Sequence, residues 1–275
     1  MTRETFSAVM TKILPFSRKE GILVSCLYEP TLHPDFIDMY SSLPLQYKDN
    51  FFFTTNLVRH LTDTEINKMA YFNVHHINIS LETFDEKKYT EITGVKNTCF
   101  YDNLSRVFKI FKDASPPRVR FITMLIRNNY SEILSLAQKA HDMYPLDMHE
   151  FRTPYLHNET DLEKILLTEN ELNDLVPKIR SLGYSNIYIS ADSNLEQFIK
   201  VKAGWIKSNV DEVKKVKLRM HEDYQMRINA NGKGFFNCDG SEFDINIINT
   251  EELRSKLLGI LRYKIKQGRY VDAHI

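Results

Sequence analysis

The chain has 275 residues, of which 43% are hydrophobic, 26% charged and 12% aromatic, enough for one large domain or a domain with a small appendage; disordered, collagenous and disulfide-stapled classes are excluded. Lys+Arg and Asp+Glu both number 36, so no net field draws the chain toward nucleic acid or an anionic membrane, and neither is expected as a partner. The three cysteines, Cys26, Cys99 and Cys238, are odd in number and widely spaced, unlike a secreted disulfide framework, so a cytoplasmic setting is expected. No window approaches the ~18 consecutive apolar residues of a membrane span. Glycine is scarce, and neither GxGxxG nor GxxxxGK[ST] occurs, which removes the glycine loops that cradle phosphates.

From the first residues onward, helical and β-rich segments follow one another. A helix is expected over 2–19, then a strand at 21–27 and a helix at 35–43 opened by Pro34 and Asp35. A strand at 51–56 precedes a helix at 63–72, where Thr62 and Glu65 have capping-box spacing. Next come a strand at 74–81, two helical stretches through about 113, a strand at 118–126, a helix at 131–144 and a strand at 147–153. A helix at 168–183 ends at Gly183, and a short strand lies at 186–190. Strands alternating with helices at this spacing predict right-handed βαβ units and a parallel sheet or barrel. Beyond a boundary near 190–205 the pattern changes: a basic segment at 200–222, a hairpin at 225–238 turning on Asn231 and Gly232, and a helix at 251–267. The fold expectation is therefore α/β, a partial barrel of parallel strands over 1–195 with a small α+β extension over 196–275.

Ligands of parallel α/β sheets bind beyond the carboxyl ends of the strands, so the residues there are the candidates. Glu29 follows the first strand, Asn56 ends the second, Asn128 and Asn129 follow the fourth, and Arg152 lies near the end of the fifth. The strand at 74–81 has one apolar face, Ile77, Ile79 and Leu81, and one polar face, His76, Asn78, Ser80 and Glu82. Together these make a ring of donors and acceptors suited to a zwitterionic or polyhydroxyl ligand. His75 and His76, adjacent on a strand, are expected on opposite faces and unable to share a metal.

The runs GILVSCLYEPTLHPDF, FFFTTN, NISLETFDEKKYTEITG and FITMLIRNN resemble, in order and spacing, the radical S-adenosylmethionine superfamily over about 20–155. That resemblance implies a TIM-like barrel, S-adenosylmethionine and a [4Fe-4S] cluster as cofactors, and reductive cleavage to a 5′-deoxyadenosyl radical that abstracts hydrogen from a small-molecule or peptide substrate. It implies that Glu29 contacts the amino group of S-adenosylmethionine, that Ser80 and Glu82 approach its sugar and methionine end, that Asn128 and Arg152 complete the wall, and that Asn56 is the Asn of the third motif. The segment after about 196 resembles the family's SPASM or twitch extension, with Cys238 alone of its cysteines.

Two departures shape the expectation. The family's CxxxCxxC is absent, and the three irons that it ligates need thiolates, so the cluster is not expected to bind this chain. The sequence reads as starting just downstream of that motif, without the first strand. Tyr28 stands where the family usually has Gly before the Glu. Two readings follow: a truncated or degenerate radical protein, inactive by itself, or a cluster-free protein of the same scaffold that binds a ligand or partner without chemistry. Loss of the first strand also exposes the edge at 21–27 to self-association.

Overall fold

The computed structural model describes residues 1–17, 19, 21–24, 29–96, 99–114, 116–153, 162–189, 226–228, 231–236, 242–245, 247–253 and 255. The chain divides into two compact units, Arg18–Ala203 and a second made of Met1–Ser17 with Gly204–Ile275. The expected division, 1–195 and 196–275, is simpler: the N-terminal helix falls in the same unit as the C-terminal residues.

The larger unit is an open sheet of six parallel strands in the order β1 (Ile22–Leu23), β2 (Phe51–Thr55), β3 (His76–Ser80), β4 (Arg118–Met124), β5 (Met148–Arg152) and β6 (Ile187–Ile189). Sequence order equals spatial order, as successive right-handed βαβ units produce. Its helices are α2 (Phe36–Ser41), α3 (Asp63–Met69), α4 (Glu86–Thr93), α5 (Phe100–Lys112), α6 (Ile133–Met143), α7 (Leu162–Ile165) and α8 (Glu169–Ser181). Among the described residues β1 is bonded to β2 alone; residues 25–27 of the expected first strand, Cys26 among them, and Tyr28 after it lie outside the described residues.

Local chemistry sets the helix ends. Thr62 and Thr168 each accept from the N–H three residues on, Glu65 and Glu171, whose carboxylates return bonds to the cap N–H: two complete capping boxes. Gly94 and Gly183 take φ of +72° and +76° just past α4 and α8, a conformation that costs glycine nothing.

The period-2 expectation for β3 holds. Phe51, Phe53, Ile77, Ile79, Phe121 and Phe151 are all 0–1% exposed and form the face covered by helices. On it Phe53 meets Tyr40 edge-on at 4.7 Å, and Phe36 meets both Phe53 and Phe72. A second part of this core gathers Leu125, Ile133, Phe151, Leu172, Val176 and Ile179. The opposite face is largely polar: Thr54, Asn78 and Arg120 share one register row, and Ser80, Glu150 and Tyr188 share the next with the apolar Ile122.

The histidine expectation is corrected. β3 begins at His76, so strand alternation does not govern His75, and the two rings meet at 2.9 Å between their Nδ1 atoms. Both are buried, and no group of three or more metal-ligating side chains occurs among the described residues.

In the second unit α1 (Arg3–Ile13) is capped by Thr2. Three antiparallel strands, β7 (Met226–Ile228), β8 (Lys233–Phe236) and β9 (Glu242–Asp244), include the expected hairpin, with Gly232 at φ +84° in its turn. Lys12 Nζ donates to Ile245 O within this unit. Residues 250–253 and 255 are helical; the rest of the helix expected to 267, the basic segment at 200–222 and Cys238 lie outside the described residues. Among the described residues no helix is long and apolar enough to cross a membrane.

Candidate functional site

The parallel sheet delivers the carboxyl ends of β1 to β5 to one edge, where the sequence candidates stand. Glu29 is the best fixed. Its Oε1 accepts from Thr31 N–H at 3.1 Å, Thr31 Oγ1 at 2.6 Å and Thr55 Oγ1 at 2.6 Å, and its Oε2 accepts from Asn56 N–H at 2.6 Å. Thr31 and Thr55 are each 1% exposed. The carboxylate therefore spans the loop after β1 and the end of β2, and among the described residues Oε2 accepts one bond, which leaves it lone pairs for a cation. Glu29 and Asn56 are brought together, and it is the Asn56 backbone that makes the contact; its side-chain Oδ1 accepts from Val58 N–H at 3.3 Å.

The chain leaves β2 through a constrained turn. Leu57, wholly buried, has φ +50°, the left-handed region that a bulky residue enters at a cost of about 1–3 kcal/mol and that marks functional turns. Its N–H donates to Thr55 Oγ1 at 3.1 Å.

Ser80 ends β3, half-buried, beside Ile122 in register and one residue past Ile79, the partner of Thr55. Glu82, two residues on, accepts from Met124 N–H at 2.9 Å. Burial raises its pKa to about 7, and the Met124 hydrogen bond opposes that rise only partly. Of the two asparagines after β4, Asn128 is exposed and Asn129 fully buried. Asn129 Nδ2 donates to Glu82 O at 3.0 Å and Met124 O at 2.9 Å, and Oδ1 accepts from Ile126 N–H at 3.2 Å. Arg152, opposite Met124 in register, donates to Glu150 Oε2 at 2.6 Å, and its carbonyl accepts from Leu125 N–H. Thus the structure joins Glu29 to Asn56, and Glu82 through Met124 to the β4 and β5 ends; among the described residues Ser80, Asn128 and Arg152 are not brought into hydrogen bonds with the Glu29 pair.

Sequence reasoning missed Thr31, Thr55 and Leu57. The Thr31 signal was local, a hydroxyl two residues after a carboxylate; Leu57 carried none. Cys99, half-buried before α5, has no neighbouring set of metal ligands among the described residues.

Among the described residues no set of three thiols or other soft ligands of the kind a [4Fe-4S] cluster requires comes together. A carboxylate, hydroxyls and amides at one strand edge do fit an amino acid joined to a nucleoside.

Residues 13–140 match the Radical SAM superfamily. Over that segment the chain is similar to the radical SAM superfamily. Among solved structures, hexahistidine-tagged anSMEcpe with bound AdoMet superposes with a TM-score of 0.56 at 13% identity, over 94% of this chain and 68% of that one. It shows the shared fold. Streptococcus suis SuiB bound to S-adenosylmethionine gives 0.49 at 17% identity, over 69% of this chain and 41% of that one. A domain of pyruvate-formate lyase-activating enzyme from Bacteroides vulgatus ATCC 8482 gives 0.43 at 20% identity, over 62% of this chain and 98% of that one. The chain thus spans less than half of the length of SuiB. No curated protein sequence matches it. The sheet is the α/β parallel sheet expected from the sequence and is open, since β1 and β6 do not pair among the described residues.

Proposed function

We propose that the strand ends of this radical SAM-like domain bind S-adenosylmethionine, and that these 275 residues do not by themselves perform its reductive cleavage. The observation that carries the reading is the Glu29 carboxylate, fixed by four hydrogen bonds with Oε2 still able to accept from an ammonium group. Ser80 and Glu82 lie at the neighbouring strand end for the sugar hydroxyls, and Asn56, Asn128 and Arg152 complete the wall. When a cluster is bound, radical SAM chemistry supplies an electron to the sulfonium; a cluster at this site needs thiolates from outside these residues. The substrate, in this reading a small molecule or peptide, and any SPASM-like role of β7–β9 go with the full catalytic protein.

The test is calorimetric titration of the protein with S-adenosylmethionine, beside anaerobic reconstitution with iron and sulfide. Saturable binding that weakens at least ~10-fold in Glu29→Gln, the effect of leaving an ammonium against a neutral amide, is expected. No iron–sulfide absorption is expected after reconstitution. Absence of saturable binding overturns the ligand, and a reconstituted cluster overturns the inactivity.

A further inference from the structure

We propose that Asn103, on α5, is a positioning residue for the Glu29 carboxylate, acting through the loop 57–61. This rests on the S-adenosylmethionine reading above for its consequence, though not for its geometry.

A left-handed Leu57 persists only where its surroundings over-determine the backbone. Asn103, 0% exposed, supplies that constraint. Its Nδ2 donates to Leu57 O at 2.8 Å and Arg59 O at 2.5 Å, and its Oδ1 accepts from Leu61 N–H at 3.1 Å. One amide so uses both donors and its acceptor on three backbone groups within five residues. Leu57 and Leu61 are themselves wholly buried, so no water is at hand to replace those bonds. From the start of α5, Cys99 N–H adds a bond to Val58 O at 3.3 Å.

On its other side the same loop reaches Glu29. Leu57 N–H donates to Thr55 Oγ1, Thr55 Oγ1 donates to Glu29 Oε1, and Asn56 N–H donates to Glu29 Oε2. Arg59 Nε ties the loop to Thr31 O at 2.5 Å, beside another Glu29 donor. Asn103 touches neither Glu29 nor the ligand position, yet every bond it makes fixes the turn from which two of the four Glu29 donors project. Release of Leu57 toward negative φ swings its N–H off Thr55 and turns the adjoining peptide of Asn56.

The experiment uses Asn103→Asp, which keeps the acceptor for Leu61 N–H and loses both donors. Binding of S-adenosylmethionine is compared with that of 5′-methylthioadenosine, which has the nucleoside but no ammonium. The variant is expected to weaken S-adenosylmethionine about 10-fold and 5′-methylthioadenosine by less than about 2-fold, and to shift the Asn56 amide NMR resonance upfield as its bond to the carboxylate lengthens. Equal weakening of both ligands, or an unmoved Asn56 resonance, overturns the proposal. If wild-type protein binds neither ligand, the S-adenosylmethionine reading falls while the Asn56 resonance still decides the positioning role. Should the variant not fold, hydrogen exchange in wild-type protein decides: the Asn103 side-chain amide protons are expected to exchange as slowly as the Leu61 N–H, and exchange at the rate of an exposed amide overturns the constraint.

Discussion

Glu82 Oε2 accepts the Met124 N–H at 2.9 Å, so a carboxylate at the end of β3 is tied to the backbone at the end of β4. Asn129 closes the same junction from the other side, donating to Glu82 O and Met124 O. Two strand ends that face the candidate ligand position are thereby locked by one acid and one amide, and their titration and removal have distinct signatures.

The Glu82 carboxyl is raised from 4.5 to about 7, first by burial. Between those values the native state holds a proton that the unfolded chain has released, so stability falls as pH rises through the window. The contribution is fully present below about 4.5 and is lost above about 7, with a size on the order of 3 kcal/mol at most. Glu82→Gln keeps an acceptor for Met124 and removes the titration. Urea midpoints are expected to agree between wild type and variant near pH 4.5 and to favour the variant at pH 8; parallel curves across that range contradict the assignment.

His149 titrates in the opposite sense. Wholly buried, it is lowered from 6.5 to about 3 by burial, with a smaller effect from nearby His141. Thr123 Oγ1 donates to Leu81 O at 2.6 Å and so accepts from His149 Nε2 at 2.9 Å, which places the ring proton on Nε2. As pH falls from 6.5 toward 3 the unfolded chain takes up a proton that the native state refuses, and stability is lost. His149→Phe, beside Phe121 and Phe151, is expected to lose less stability than wild type between pH 6.5 and 4.5. An unchanged acid slope in urea unfolding places the titration elsewhere.

The parallel order, the capped helices and the two faces of β3 were legible because each is written in neighbouring residues: Thr168 with Glu171, Ile77 with Ile79, Gly232 in its turn. Glu29 and Asn56 were legible as strand ends. What was not legible is long-range. Asn103 lies more than forty residues from the loop that it braces, on an amphipathic helix where a lone Asn reads as surface. His75 and His76 depended on the residue at which β3 starts pairing. The grouping of 1–17 with the C-terminal residues depends on tertiary contacts that no local period carries.

The face assignment of β2 makes a third prediction. Phe53 is 0% exposed and contacts Phe36, Tyr40 and Phe72, whereas Thr54 is half-buried on the polar face beside Asn78. Phe53→Ala is expected to cost about 3–5 kcal/mol through lost burial and an unfilled cavity. Thr54→Ala is expected to cost about 1 kcal/mol or less, the value of one net hydrogen bond. Denaturant unfolding at a single pH separates the two, and a reversed order puts the strand in the wrong register.

Asn128 and Asn129 are chemically identical neighbours with opposite expected consequences. Asn129→Ala leaves Glu82 O, Met124 O and Ile126 N–H without their side-chain partner in a buried loop. A loss of about 2–4 kcal/mol follows from several orphaned backbone groups. Asn128→Ala, at an exposed position, is expected to change stability by less than about 0.5 kcal/mol. Ligand titration separates their roles further: with Asn128 in the S-adenosylmethionine wall its variant loses affinity at unchanged stability, and unchanged affinity removes Asn128 from that wall.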